Sequence, residues 1–317
     1  MIENVFSWSK SRDEEFRECQ RKYFYNRYAS WGGWDRNAPK EARMAYVLKN
    51  LKNRWAWKGE TVHHVIEDVL KSLKIGQPVT LDTALARLTQ IMRCDYRSSK
   101  AKKYWDDPKK NLGLFEHEYE REISDAVWKE FHDSSAECLK NFYGSALFKE
   151  MAADDKNAWL VIEDLEEFEF ADAKIYVKLD FARQKNGKIE IFDWKTGKND
   201  HEAATVQIGA YAMYAMKRWE IPVSDIQAFL FYLTDRAPVV SEKAVNDALI
   251  QGTQETMLAS IRAMRELLSD VGKNIPKPRE NFAFTTNTRL CNYCNFYKVC
   301  EKYKVAPPYE GGARGGL

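Results

Sequence analysis

Ile175-Tyr-Val-Lys-Leu-Asp180-Phe-Ala-Arg-Gln-Lys185-Asn186-Gly187-Lys188-Ile-Glu-Ile-Phe-Asp193-Trp-Lys195-Thr-Gly197 is the stretch on which the reading of this 317-residue chain turns. Two apolar-rich runs flank Asn-Gly, the dipeptide that best fits a two-residue hairpin turn, because both of its residues tolerate positive φ. With that turn, Lys185 faces Lys188, and the numbers of paired residues keep a constant sum. Five steps on, Asp180 stands opposite Asp193, with Cβ atoms about 4.5–5.5 Å apart. Strand alternation then puts Lys195 on the face of Asp193, one pleat along. A three-residue loop would slip this register and separate the carboxylates. Facing aspartates destabilise a sheet, whereas a hard divalent cation such as Mg²⁺ or Mn²⁺ removes the repulsion. A lysine beside it can stabilise charge on a transferring phosphate.

Outward from the hairpin, Trp159-Leu-Val-Ile and Phe168-Glu-Phe read as further strands. Residues 202–219 read as a helix, 228–233 as a strand and 241–271 as a helix. Upstream, Val62, Val65, Ile66, Val69, Leu70 and Leu73 follow a helical period over 61–73. That helix puts His63 at the margin of its apolar stripe and His64 on its polar side. His63 is therefore the better candidate to reach a metal. Residues 81–97 and 112–149 show weaker helical periodicity, broken by Asp106-Asp107-Pro108. Gln207 and Tyr211, four apart, share a helix face. The acidic run Glu163-Asp-Leu-Glu-Glu-Phe-Glu reads as an outward strand edge, from which Glu163 or Glu167 could reach a metal. Helix, then strands, then helix implies an α/β or α+β core with a helical elaboration.

Lys plus Arg number 49 and Asp plus Glu 47, so net charge makes no case for a nucleic-acid partner; local clusters must make it. Arg17, Arg21, Lys22 and Arg27 lie among Tyr23, Phe24, Tyr25 and Tyr28. Lys49, Lys52, Arg54 and Lys58 interleave with Trp55 and Trp57, and Lys100, Lys102, Lys103, Lys109 and Lys110 follow in the insertion. Such mixtures suit phosphates and unpaired bases. No apolar run is long enough to span a bilayer, the N-terminus does not read as a secretory leader, and a cytoplasmic location is expected. No G-x-x-x-x-G-K-[ST] is present, so ATP-driven unwinding would fall to a separate partner.

Cys291, Cys294 and Cys300 form C-x₂-C-x₅-C, three thiols in want of a fourth, with Cys19, Cys94 and Cys138 to choose from. Cys94 and Cys138 read as buried, inert thiols in helical patterns. Four thiolates can hold Zn²⁺ or an iron–sulfur cluster, and spacing does not decide between them.

The order Gly59-Glu-Thr-Val-His63, Leu179-Asp180, Asp193-Trp-Lys195-Thr-Gly197, Gln207-x-x-x-Tyr211 resembles the RecB-like branch of the PD-(D/E)xK nuclease superfamily over residues 60–215. Where that family often has Gly three residues before the first aspartate, this chain has Val177. The resemblance implies a restriction-endonuclease-like α/β core, a mixed central sheet flanked by helices, with a large helical N-terminal elaboration. It implies His63, Asp180, Asp193 and the Trp194 carbonyl as ligands of Mg²⁺ or Mn²⁺. Lys195 would position water and phosphate, with Gln207 and Tyr211 orienting it or contacting the nucleic-acid backbone. The cysteine pattern is similar to that of the AddB nuclease domain and the CRISPR-associated RecB-like exonucleases. By that likeness Cys19, Cys291, Cys294 and Cys300 hold a [4Fe-4S] cluster, a clasp joining the termini.

The implied segments are 1–58 (helical, first cluster cysteine), 59–158 (His63 helix and helical insertion), 159–272 (nuclease core), 273–306 (cluster segment) and 307–317 (loose tail). The expected activity is metal-dependent hydrolysis of DNA, as an exonuclease on single strands or ends, in repair, recombination or phage and CRISPR defence. The alternative is a non-catalytic Cys₄ subunit that binds DNA ends on the same scaffold.

Overall fold

In the computed structural model, which describes residues 3–197, 203–234 and 239–304, the elements that build the site are these. Strand β1 is Ser7–Trp8, followed by helices α1 (Lys10–Glu18), α2 (Arg54–Lys74), α3 (Leu81–Lys100) and α4 (Asp125–Gly144). Then come β2 (Trp159–Phe170), β3 (Ala173–Lys185), β4 (Lys188–Lys195), α5 (Ala203–Trp219), β5 (Ile226–Tyr232), β6 (Val239–Lys243) and α6 (Asp247–Arg265). The tail at 307–317 lies outside the described residues.

Asn186 and Gly187 have φ of 50° and 77°, the left-handed pair that an Asn-Gly hairpin turn requires. The β3–β4 ladder runs from Lys185↔Lys188 to Phe181↔Phe192, which is the expected register. The sheet order is β1-β3-β4-β5-β6, with β2 on the other edge of β3. Strands β4 and β5 are parallel and α5 connects them, as a crossover must. Strand β1 joins the edge of β3 shared with β4, but only at Lys174 and Ile175. Between those residues and Phe181 that edge has no ladder partner among the described residues.

Two apolar layers cover the sheet. Trp8, Ile175, Val177, Leu179, Ile189 and Ile191 pack with α5 and α6. Phe181, Phe192 and Trp194 pack on the other side with α2, α3 and α4. Along β3, then, side-chain alternation slips between Leu179 and Phe181, at Asp180. The paired strand slips at the same level: Ile162↔Phe181 and Asp164↔Leu179 bracket Glu163, whose φ is +56°. A non-glycine residue there costs about 1–3 kcal/mol and persists where surrounding structure holds it.

Several sequence expectations shift. The strands expected at 159–162 and 168–170 are one, β2. The helix expected over 241–271 is shorter. Val239–Lys243 forms an edge strand on β5, and Asn246 caps α6 by accepting from the Leu249 amide (2.9 Å). The stretch 112–149 is interrupted, since Ser124 and Ser145 each cap a new helix. Val177, where glycine was the family habit, continues β3 opposite Glu166 without interruption. Among the described residues no helix is long and apolar enough to cross a membrane.

Candidate active site

Helix α2 starts at Asn53, whose side chain accepts from the Ala56 amide (2.9 Å). Its apolar stripe, including Val62, Val65, Ile66 and Val69, is buried against the sheet. A Cβ at Gly59 would sit 3.0 Å from Thr196 Oγ1, so glycine lets the helix lean close to the end of β4. One turn later His63 projects over the strands. One ring nitrogen, Nδ1, lies 2.9 Å from Glu163 Oε1 and 3.4 Å from Asp180 Oδ1. The other, Nε2, is 3.1 Å from the Trp194 carbonyl and so donates to it. His64 stays outside near Glu67 and Asp68, as its helix face implies.

At Asp180 the β3–β4 ladder gives way to a side chain. The Trp194 amide donates to Asp180 Oδ2 (2.7 Å), which replaces the backbone acceptor at the slipped position. Asp193 lies next to it, buried, with Lys195 Nζ 2.6 Å from its Oδ2. From α5, Gln207 bridges the pair: its Oε1 accepts from Lys195 (2.9 Å), and its Nε2 donates to Asp193 Oδ1 (2.9 Å). The Tyr211 hydroxyl donates to the Lys178 carbonyl (2.6 Å) and accepts from Gln207 Nε2 (2.7 Å). His63, Asp180, Asp193, Trp194, Lys195, Gln207 and Tyr211 thus line one cleft of about 680 Å³.

Glu163, which the sequence placed on an outward strand edge as one of two acidic residues able to reach a metal, joins this group. It is buried, and its donor atom falls within 4.8 Å of those of His63 and Asp180, a set of metal-ligand type. A signal for it existed. If Ala171 and Asp172 are taken as a two-residue turn, the rule that matched Asp180 to Asp193, applied to this hairpin with its own sum, matches Glu163 to Asp180. Both turn residues do have positive φ, 50° and 54°. Glu167, the other acidic candidate, pairs with Lys174 at the surface (2.9 Å).

The cluster is electrostatically tense. Burial raises Asp180 to about 6, against the pull of His63 and with the push of Asp193. Burial would lower His63, but the Asp180 and Glu163 carboxylates outweigh it and hold the imidazole well above its ordinary value. Glu163 is kept below the usual carboxylate range despite its burial, by His63 and by Lys178, whose Nζ is 2.7 Å away. Burial, with the Asp193 and Asp180 charges, keeps the Tyr211 phenol protonated far into the alkaline range.

Cys19, Cys291, Cys294 and Cys300 line a second, small cavity where the two ends of the chain meet. The ends are also tied by protein contacts: Arg21 donates to the Phe282 carbonyl (3.1 Å) and pairs with Glu301 (2.8 Å), and Tyr25 donates to the Val299 carbonyl (2.8 Å). Burial, with Cys19 and Cys300 nearby, pushes the Cys294 thiol up to about 12. Cys138 is buried as expected. Cys94 is not; it sits exposed on the outer face of α3.

A model of the PD-(D/E)XK nuclease superfamily matches residues 7–301. Among solved structures the chain is similar to SSO0001, at 15% identity and a TM-score of 0.29, over 59% of this chain and 92% of that one. It is also similar to a Eubacterium rectale protein described as a candidate exonuclease, at 12% identity and a TM-score of 0.35, over 78% and 90%. No curated protein matches it.

Proposed function

The chain belongs to the PD-(D/E)XK nuclease superfamily, and from that premise we propose that it is a metal-dependent deoxyribonuclease acting on single strands or on DNA ends. The observation that carries this reading is the meeting of Asp180 and Asp193, from adjacent strands, beside Lys195 in an open cleft. The donor set fits a hard divalent cation: carboxylate oxygens with one imidazole, brought within 4.8 Å of one another. His63, Glu163, Asp180 and Asp193, with the Trp194 carbonyl, are the groups assigned to it. Mg²⁺ or Mn²⁺ bound there would supply an activated water and offset charge on the phosphate.

The chain's own groups do the rest. Lys195 points its ammonium into the cleft, where it meets the negative charge of a scissile phosphate. Gln207 grips Lys195 and Asp193 at once and so fixes their separation, and Tyr211 holds Gln207 from behind. The intact Asp193–Lys195 pair favours a catalyst over a DNA-binding subunit that keeps the scaffold alone. On this reading 159–272 carries the catalytic sheet, and a separate helicase would open duplexes.

We assign the four cysteines to a [4Fe-4S] cluster that is structural. Their convergence from both ends of the chain supports this. Iron and sulfide analysis of anaerobically prepared protein tests it, with Cys19→Ser expected to lose both; a colourless protein with one zinc would overturn it.

The nuclease reading is tested with labelled DNA and RNA oligonucleotides, ends free or blocked, with Mg²⁺, Mn²⁺ or chelator. Cleavage of DNA only with metal, and abolished in Asp193→Ala, is expected. Wild-type rates in Asp193→Ala, or no cleavage with either metal, would sink it.

A further inference from the structure

A second cleft, also about 680 Å³, adjoins the catalytic one and shares Ser9, Ser11, Tyr176 and Lys178 with it as a common wall. Its lining gathers Arg12, Arg27 and Lys49, with the half-buried rings of Tyr28 and Trp31. In the first two basic clusters most of the other cations are spent on carboxylates: Arg17 on Asp13, Arg21 on Glu301, Lys22 on Glu18, Lys52 on Glu60 and Arg54 on Glu116. Here they are not. Among the described residues neither Arg12 nor Lys49 has an ion-pair partner; Arg12 donates to the Ser7 carbonyl (2.9 Å) and hydroxyl and lies over the Tyr176 ring, and Lys49 reaches the Asn26 carbonyl at 3.5 Å and lies over the Tyr46 ring. Arg27 has Glu15 at 3.4 Å, yet its buried Nε has no partner. Glu3 is the acidic residue on the lining, and it is exposed.

Cations held together without matching anions repel one another. Burial, then Arg27, brings Arg12 down to about 10, and burial, then Arg27, Lys109 and Arg12, brings Lys49 down to about 8. The fold gains nothing from that arrangement, whereas a polyanion removes the repulsion and releases its own counterions. A strand with unpaired bases matches further, because every base offers a face to an aromatic ring.

We infer that this cleft carries the phosphates of the single strand leading away from the scissile bond, between Arg12, Arg27 and Lys49, with Tyr28 and Trp31 against its bases. The inference rests on the nuclease reading, since the shared wall is what makes the two clefts one path.

The test compares a single-stranded deoxyoligonucleotide of about 16 nucleotides, the upper end of common single-strand site sizes, with a dinucleotide that fills the catalytic cleft alone. In Lys49→Gln and Arg12→Gln the KM for the long strand should rise about tenfold or more with kcat retained. The dependence of log KM on log salt should flatten by about 0.7 per cation removed, and dinucleotide turnover should persist. Should Arg12→Gln fail to fold, Lys49→Gln carries the test alone. An unchanged KM for the long strand overturns the inference and leaves the nuclease reading standing. An equal loss on both substrates overturns it too, because the second cleft would then have no role of its own. If wild-type protein cleaves neither substrate, the nuclease reading fails, and the anisotropy of labelled (dT)-oligonucleotide on wild type and Lys49→Gln then decides whether the cleft binds strands at all.

Discussion

The β3–β4 hairpin buries charge at both ends, in opposite ways. Near the turn, Arg183 is 2% exposed and ringed by three carboxylates: Glu190 (2.7 Å), Asp154 and Glu150. Its guanidinium also lies over the Phe192 ring, 5.3 Å from the centroid. Three residues away, Asp180 stands with Glu163 and Asp193, and the balancing charges are a titratable imidazole and two lysines whose side chains are 53% and 28% exposed. At the turn, a permanent cation is saturated by anions the chain supplies. At the open end, buried anions are matched by partners that can be displaced. The first arrangement fixes a structure; the second leaves room for an exchangeable ion.

The largest effect that sharpens this contrast is on catalysis. Asp193→Asn should lower DNA cleavage by about three to four orders of magnitude, some 4–5 kcal/mol of barrier, in single-turnover assays with Mg²⁺. Its urea midpoint should stay or rise, because one of the crowded carboxylates loses its charge. A variant equally inactive and unfolded would erase the distinction between the ends. Next, Arg183→Met strands three carboxylates and should cost on the order of 3 kcal/mol in urea denaturation, while molecules that remain folded keep their cleavage rate.

A smaller effect separates the ends by pH. Without metal, the raised pKa of His63 keeps the ring protonated through neutrality, and a metal needs its lone pair. Mn²⁺ binding should therefore release a proton and tighten about tenfold per pH unit until pH passes the raised value. Calorimetry in buffers of different ionisation enthalpy measures that proton, and a pH-independent Kd would remove His63 from the ligand set. Least of all, Glu150→Gln, on the solvent side of the Arg183 ring, should cost under about 1 kcal/mol.

Much of this was written locally. Asn186-Gly187 set the register as far as Phe181↔Phe192; the direct Asp180–Asp193 pair expected one step on is not formed, because the ladder slips there and the Trp194 amide donates to the Asp180 carboxylate instead. His63 was legible because a helical period separates it from His64. Glu163 was legible only as an alternative to Glu167, since Ala171-Asp172 is a weak turn signal and the +56° backbone at Glu163 is imposed by the strands around it. Residues 241–243, the end of the Val239–Lys243 strand, read as helix because edge pairing with β5 is a tertiary fact. The cationic cleft was hidden for a related reason: composition shows where lysines and arginines lie, but not which ones the fold leaves without a carboxylate. The cysteines divided likewise, with Cys291, Cys294 and Cys300 plain in their spacing and Cys19 far off in sequence.

The break in the sheet between β1 and β4 has one more consequence. A bare strand edge invites another chain to pair with it, and proteins usually blunt such edges with charge or a covering element. Here a phenol does it: the Tyr211 hydroxyl occupies the Lys178 carbonyl that a stray strand would seek. The side chain that steadies the Gln207–Asp193 pair therefore also takes up an acceptor of that bare edge, so one oxygen serves both the site and the sheet.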